Sequence, residues 1–242
     1  MELKLIHFYP DLMSLYGSYA NLLALRRSLE ALGNTVTIQS VLPGEELDLD
    51  GADFLFMGAG TERAQKAALS DFARYGEAVK FAANKDVPML FAGTAMELLG
   101  QSIVDNTGRT WDGIGLMNFT STQGKRRIVE DVLGRTDLFE EPVVGFVNKC
   151  SVITGVETPL LTSLTLGFGN EAALGSEGCR YHNVLGSELT GPILVKNPRL
   201  LDAVVDAIYA RHGETVPADR PHDHWAEDGY RITAEELAKR VK

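Results

Sequence analysis

The chain has 242 residues, 45% of them hydrophobic, and its 23 Lys and Arg against 33 Asp and Glu leave a formal charge of -10. That apolar content fills the core of one large domain or two small ones, and the negative field works against nucleic-acid or anionic-membrane partners. No apolar run of about 18 residues is long enough to span a membrane, MELKLIHFYP is too polar for a signal peptide, and Cys150 and Cys179 are too few for a disulfide framework, so a cytoplasmic chain with free thiols is expected.

Hydrophobic periodicity orders the first half. Leu3 to Tyr9 is a strand, and after the Gly17 turn Leu22, Leu25, Leu29 and Leu32 recur at helical spacing, with Gly33 closing the helix. Asn34 to Val41 alternates as a second strand, and Ala52 to Gly60 is a buried strand ending in a glycine turn. RAQKAALSDFARYGEAVKFAANKD is one long helical stretch, and PMLFAG opens the next strand. This β-α-β-α-β order predicts a three-layer α/β sandwich with a mainly parallel central sheet.

The second half is richer in strand signals: RRIVEDVL, PVVGFVN, PLLTSLTLGFGN and RYHNVLGSELTGPILV. Asn197 to Gly213 then forms a helix with Leu200, Leu201, Val204, Val205 and Ile208 on one face. From residue 213 the composition shifts to a Pro/Asp-rich linker in which His222 and His224 read as loop residues rather than metal ligands. ITAEELAKRVK follows as a short amphipathic helix with Thr233 as N-cap and Glu236 three residues later. The expected organisation is one domain over residues 1–212 and a linker with a helical tail over 213–242. The tail can dock on its own domain or on a partner.

Ligands in such folds sit at the carboxyl ends of the parallel strands, so the loops after Tyr9, Met57 and Phe91 converge. Gly58, Gly60 and Thr61 in GAGTERAQ offer backbone N–H groups as an oxyanion or carboxylate nest; the same small residues also suit a plain strand-to-helix turn. PMLFAGTAMELLG is built like the strand-turn-helix elbow that presents a nucleophile in many α/β enzymes. Its turn, however, holds Ala92, Gly93, Thr94 and Ala95.

YPDLMSLYGSYANLLAL, FMGAGTERAQ, PMLFAGTAMELLG, VVGFVN and VLGSELTGPILVKNPRL, in that order, resemble the class I glutamine amidotransferase domain of the cobyric acid synthase type, in particular its lipid II isoglutaminyl synthase glutaminase-subunit branch. The likeness covers roughly residues 5–210. It implies a flavodoxin-like α/β sheet and glutamine hydrolysis by a cysteine on an elbow, activated by a histidine from a later loop. It also implies transfer of ammonia to a Mur-ligase-like synthetase partner, and it brings in no cofactor.

Two positions break the resemblance. The family elbow reads roughly P-x-L-x-I-C-G-G-Y-Q-x-L-G, which places Gly93 at the cysteine, and the family histidine in Y-L-H-G-P falls on Thr190. Glycine has no nucleophile, and threonine is no base near neutral pH. Thr94 to Glu97 depart from the pattern as well, more than a single inactivating substitution would change. A glycine at the tip would also relax a strained turn.

The resemblance therefore implies a noncatalytic, partner-binding or regulatory subunit whose former glutamine pocket takes a small carboxylate or amide. Candidate ligand residues are Gly58, Gly60, Thr61, Thr94 and Arg127, the last resembling an arginine near the family's glutamine site, although Lys125 to Arg127 also read as a solvated basic loop. The alternative is an active amidotransferase or other hydrolase with a relocated nucleophile such as Cys150. Cys179 and His182, three apart, form a weaker Cys–His candidate, and an idle thiol is the plain reading of both cysteines.

Overall fold

A computed structural model describes residues 1–241. In the first half the strands are β1 (Glu2–Phe8), β2 (Thr35–Val41), β3 (Phe54–Met57) and β4 (Met89–Ala92), and the helices are α1 (Ala20–Ala31), α2 (Glu62–Phe72) and α3 (Gly76–Asn84). The single long helix expected between β3 and β4 is broken by a 3-10 turn at Ala73–Tyr75. Period-two alternation sorts the strand side chains into two cores. Ile6, Phe8, Leu55, Met57, Met89 and Phe91 face α2 and α3 through Leu69, Phe72, Val79 and Ala83. Leu3, Leu5, Phe54, Phe56 and Leu90 face the other way, onto Leu22, Leu25 and Leu29.

The second half contributes β5 (Ser102–Val104), β6 (Thr110–Asp112), β7 (Thr120–Arg135), β8 (Val143–Thr154), β9 (Ser163–Leu166), β10 (Cys179–Tyr181) and β11 (Val184–Ser187), then α4 (Ile193–Lys196), α5 (Pro198–Arg211) and α6 (His224–Ala238). β11 pairs in parallel with β4, and β10 adds an antiparallel edge, so the main sheet has the order β10-β11-β4-β3-β1-β2. Helices cover both its faces, as expected. A second sheet, β6-β5-β7-β8 with β9 on β7, is mostly antiparallel. Pairing of β7 with β8 shifts register between Gln123 and Ile128, which bulges Gly124 to Arg127 out of the ladder.

Two local expectations are corrected. Ile193 to Lys196 is helix rather than strand, because Pro192 precedes it and the Leu194 N–H donates to Asn21 Oδ1 at 2.8 Å, pinning the turn to α1. The tail helix starts at His224: Asp223 is the N-cap, accepting from the N–H groups of Trp225 and Ala226. Thr233 lies inside that helix, its hydroxyl donating to Gly229 O at 2.7 Å. α6 docks on its own chain, with Leu237 packed against Leu133 and Val144 and the Tyr230 hydroxyl donating to Pro142 O at 2.7 Å. The expected tail segment ends at residue 242, which lies outside the described residues. No helix among the described residues is long and apolar enough to cross a membrane.

Candidate functional site

The carboxyl ends of β3, β4 and β11 meet at one cleft. β3 runs into Gly58-Ala59-Gly60, and Thr61 caps α2 by accepting from the Ala64 N–H at 3.1 Å. β4 ends at Ala92, Gly93 turns the chain at φ +62°, and a 3-10 helix follows to Leu99. A left-handed tip between strand and helix is the backbone of a nucleophile elbow. From β11 the chain continues through Glu188 to Thr190. Gly60, Thr61, Gly93, Thr94, Arg127 and Thr190 all line the cleft. Gly58 does not; it lies beneath, where a β-carbon would fall 2.2 Å from Ser18 Oγ.

The cleft measures about 80 Å³, well below the roughly 300–1,000 Å³ of typical ligand pockets, and three contacts close it. The Ala59 N–H donates to Ser18 Oγ at 3.1 Å, and the Gly60 N–H donates to Thr94 Oγ1 at 3.0 Å. Thr94 Oγ1 in turn donates to Gly60 O at 3.0 Å. Two N–H groups of the glycine turn, those of Ala59 and Gly60, are thereby occupied from within. The third contact is steric: a β-carbon on Gly93 would stand 2.6 Å from the Ala59 β-carbon and 3.2 Å from its α-carbon. Ala59 is buried and has no rotamer with which to move aside.

Among the described residues, no cysteine or histidine lines the cleft. Thr190 takes its backbone position from Phe146, to whose carbonyl its N–H donates at 2.7 Å. The five histidines are all engaged elsewhere. His7 is buried against Phe56, His182 meets Asp86, His212 meets Asp53, His222 sits 3.7 Å from Glu227, and His224 stacks on Trp225. Cys150 lies beside the cleft on β8, its thiol donating to Glu62 Oε1 at 3.3 Å; burial, with that carboxylate, pushes the thiol up to about 12. It is held protonated, the opposite of an activated nucleophile. Cys179 is fully buried and pushed well up by desolvation. His182, three residues on, is half-exposed at a turn with φ +51° and its Nδ1 is hydrogen-bonded with Asp86 Oδ1 at 2.8 Å, so the two do not form a pair.

Charge in the cleft is balanced by pairs. The β7 bulge aims Arg127 across the gap, where it bonds Glu62 and donates to Asn148 O and Oδ1 at 3.1 Å each. Lys149 and Glu188 form an ion pair at the cleft floor with side chains 3% and 1% exposed. Ser151 donates to Glu188 at 2.6 Å and Lys149 to Gly169 O at 2.7 Å. Sequence reasoning does not reach Ser18, Ala59, Glu62, Lys149 or Glu188 as site residues. The alternation of VVGFVNKC, which places Val143, Gly145, Val147 and Lys149 on one buried face, is the one signal that marks Lys149.

The fold and the cleft define a protein of the class I glutamine amidotransferase type. Residues 4–198 match the CobB/CobQ-like glutamine amidotransferase domain, and the chain belongs to that family. It is 29% identical over 212 residues to the lipid II isoglutaminyl synthase (glutamine-hydrolyzing) subunit GatD of Staphylococcus aureus, covering 88% of this chain and 86% of the relative. The protein of the same description in Streptococcus pneumoniae is 30% identical over 219 residues, covering 89% and 84%. A crystal structure of a glutamine amidotransferase superposes with a TM-score of 0.53 at 16% identity, over 84% of this chain and 98% of its own, which bears on the fold alone.

Proposed function

We propose that the chain is a noncatalytic glutamine amidotransferase-like subunit of a lipid II isoglutaminyl synthase type of assembly, working in the cytoplasm beside a Mur-ligase-like synthetase and serving cell-wall amidation. The observation that carries this reading is the Ala59–Gly93 contact, which leaves no room for a nucleophilic side chain at the elbow tip. Thr94 and Ser18 occupying two of the turn's N–H groups, and Thr190 in place of a base, point the same way. The partner rests on the relatives, whose names make each of them a subunit of a synthase. Retained charge pairs around the remaining cleft suit a small carboxylate or amide as a bound signal rather than a substrate.

The reading is tested by ammonia release from glutamine, measured on the purified protein alone and with a synthetase subunit co-purified from its host, alongside Cys150→Ser and Cys179→Ser. No release is expected in any sample. Release abolished by either substitution would assign a relocated nucleophile and overturn the proposal.

A further inference from the structure

Beside the closed cleft, and sharing Glu62 and Arg127 with it, lies a second and more open one of about 450 Å³. Its size falls within the roughly 300–1,000 Å³ range of small-molecule sites. On a chain carrying -10, its lining is biased the other way: Arg63, Lys66, Lys125 and Arg127 against Glu62 and Asp105. Both carboxylates are already committed. Glu62 is paired with Arg127, and Asp105 is tied into its own turn by Thr107, the Arg109 N–H and Trp111 Nε1.

The remaining cations have no carboxylate within ion-pair distance among the described residues. Arg63 comes from the first turn of α2, Lys66 from its second, and Lys125 from the β7 bulge, so they reach the cleft from two elements. Lys66 is the informative one. Its ammonium is half-buried and touches only neutral oxygens, Gln65 Oε1 at 2.8 Å and Gln123 Oε1. Glu97, Asp105 and Glu62 act on it only from beyond ion-pair distance, and a partly desolvated cation that touches no carboxylate beside a cavity of this size is an arrangement that a bound anion completes. The N-terminal end of the α2 dipole adds to the same field.

We infer that the cleft between α2 and the β7 bulge is a binding site for a small polyvalent oxyanion of the phosphate class, held by Lys66, Lys125 and Arg63. A monovalent carboxylate would leave two of the three cations unmatched, whereas a diphosphate meets all of them. The site goes beyond the amidotransferase reading and does not depend on whether the elbow is active.

The test is calorimetric titration of the full chain with inorganic pyrophosphate at low ionic strength, with orthophosphate and acetate as comparators. Trp111 lines the cleft, and the chain's other tryptophan, Trp225, is 76% exposed. Trp225→Phe therefore leaves Trp111 as the one tryptophan, which excitation beyond the tyrosine band reads selectively to report where binding occurs. Saturable pyrophosphate binding with a matching change in Trp111 emission is expected. It should weaken at least tenfold in Lys66→Gln/Lys125→Glu and stay unchanged in Lys85→Glu, a surface charge change remote from the cleft. Lys125→Glu alone, at an exposed position, keeps the test valid if the Lys66 change disturbs folding. No saturable heat, equal binding in the cleft and control variants, or acetate binding as tightly as pyrophosphate would each overturn the inference.

Discussion

Ala59 and Gly93 stand against each other across the end of the main sheet, so close that a β-carbon at Gly93 would lie 2.6 Å from that of Ala59. Gly93→Cys alone therefore meets a steric clash, worth roughly 1–3 kcal/mol for overpacking, on top of about 1–3 kcal/mol for a non-glycine residue at φ +62°. In the background of Ala59→Gly the 2.6 Å approach is removed, and only the tighter-than-usual 3.2 Å contact with the α-carbon of residue 59 remains. Chemical denaturation of the two single variants and the double variant should give a favourable coupling of about 1–3 kcal/mol. Strict additivity would mean that the two residues do not compete for the same space.

Restoring the chemistry follows from the same geometry. Gly93→Cys/Thr190→His returns both reactive groups but leaves Thr94 Oγ1 on the Gly60 N–H and the Ala59 methyl in the elbow. That double variant is expected to release no ammonia from glutamine above the wild-type background. Adding Ala59→Gly and Thr94→Gly opens the turn, and any activity should emerge only in the fourfold variant, because an oxyanion donor contributes about 10²–10³ in rate. Turnover in the double variant alone would show that the nest is not closed.

The buried Lys149–Glu188 pair is expected to be costly to break from one side. Lys149→Met strips the Glu188 carboxyl of its cation at a site 1% exposed, a loss of about 3–5 kcal/mol. Lys149→Met/Glu188→Leu removes both charges and should recover a large part of that loss in a urea titration. A double variant as unstable as the sum of the two singles would locate the cost in packing around Ser151 and Gly169 instead of in the stranded carboxyl.

How much of this is legible in the sequence depends on how local each signal is. Leu3, Leu5, Phe54 and Phe56 announce their strands because alternation within a few residues suffices, and the elbow announces itself by an apolar run ending in small residues. The closure of the site is nonlocal. Ala59 reads as a harmless small residue until the sheet brings it onto Gly93, and Thr94 reads as a candidate ligand residue until its hydroxyl is found between the N–H and carbonyl of Gly60. Arg127 reaches the cleft through a bulge that no periodicity marks. The early start of α6 is hidden because Asp223, its cap, sits in a stretch with the composition of a linker.

α6 provides a check on the docked tail. Leu237 is 4% exposed and packs on Leu133 and Val144, so Leu237→Ala should cost about 2–4 kcal/mol if the helix unfolds together with the domain. If it opens as a separate unit, amide exchange across His224–Ala238 should accelerate while β7 and β8 stay protected. Unchanged exchange together with unchanged stability would mean that the tail does not dock in solution.

Stability should also depend on pH, through groups that burial has shifted. Glu97 and Glu177 are both fully buried, and desolvation pushes each carboxyl up to about 7, with Glu188 as a neighbouring negative charge. In the unfolded chain each loses its proton near 4.5. Their contribution is thus fully present below 4.5 and is lost as pH rises through about 7. His7 acts in the opposite sense. Burial without a partner for Nε2 lowers it from 6.5 to about 4, so its contribution is present above 6.5 and lost as pH falls through about 4. Between 4.5 and 6.5 two carboxyls oppose one imidazole, and the net stability should fall as pH rises. Glu97→Gln isolates one carboxyl: it keeps an oxygen able to accept from Ser121 or Gln123 and cannot ionise. Its stability relative to wild type should therefore improve from pH 5 to pH 8, by up to about 3 kcal/mol, because each tenfold change in proton affinity between fold and unfolded chain is worth about 1.4 kcal/mol. An equal difference at the two pH values would mean that Glu97 titrates in the fold as it does in the unfolded chain, and the falling limb would then belong to Glu177.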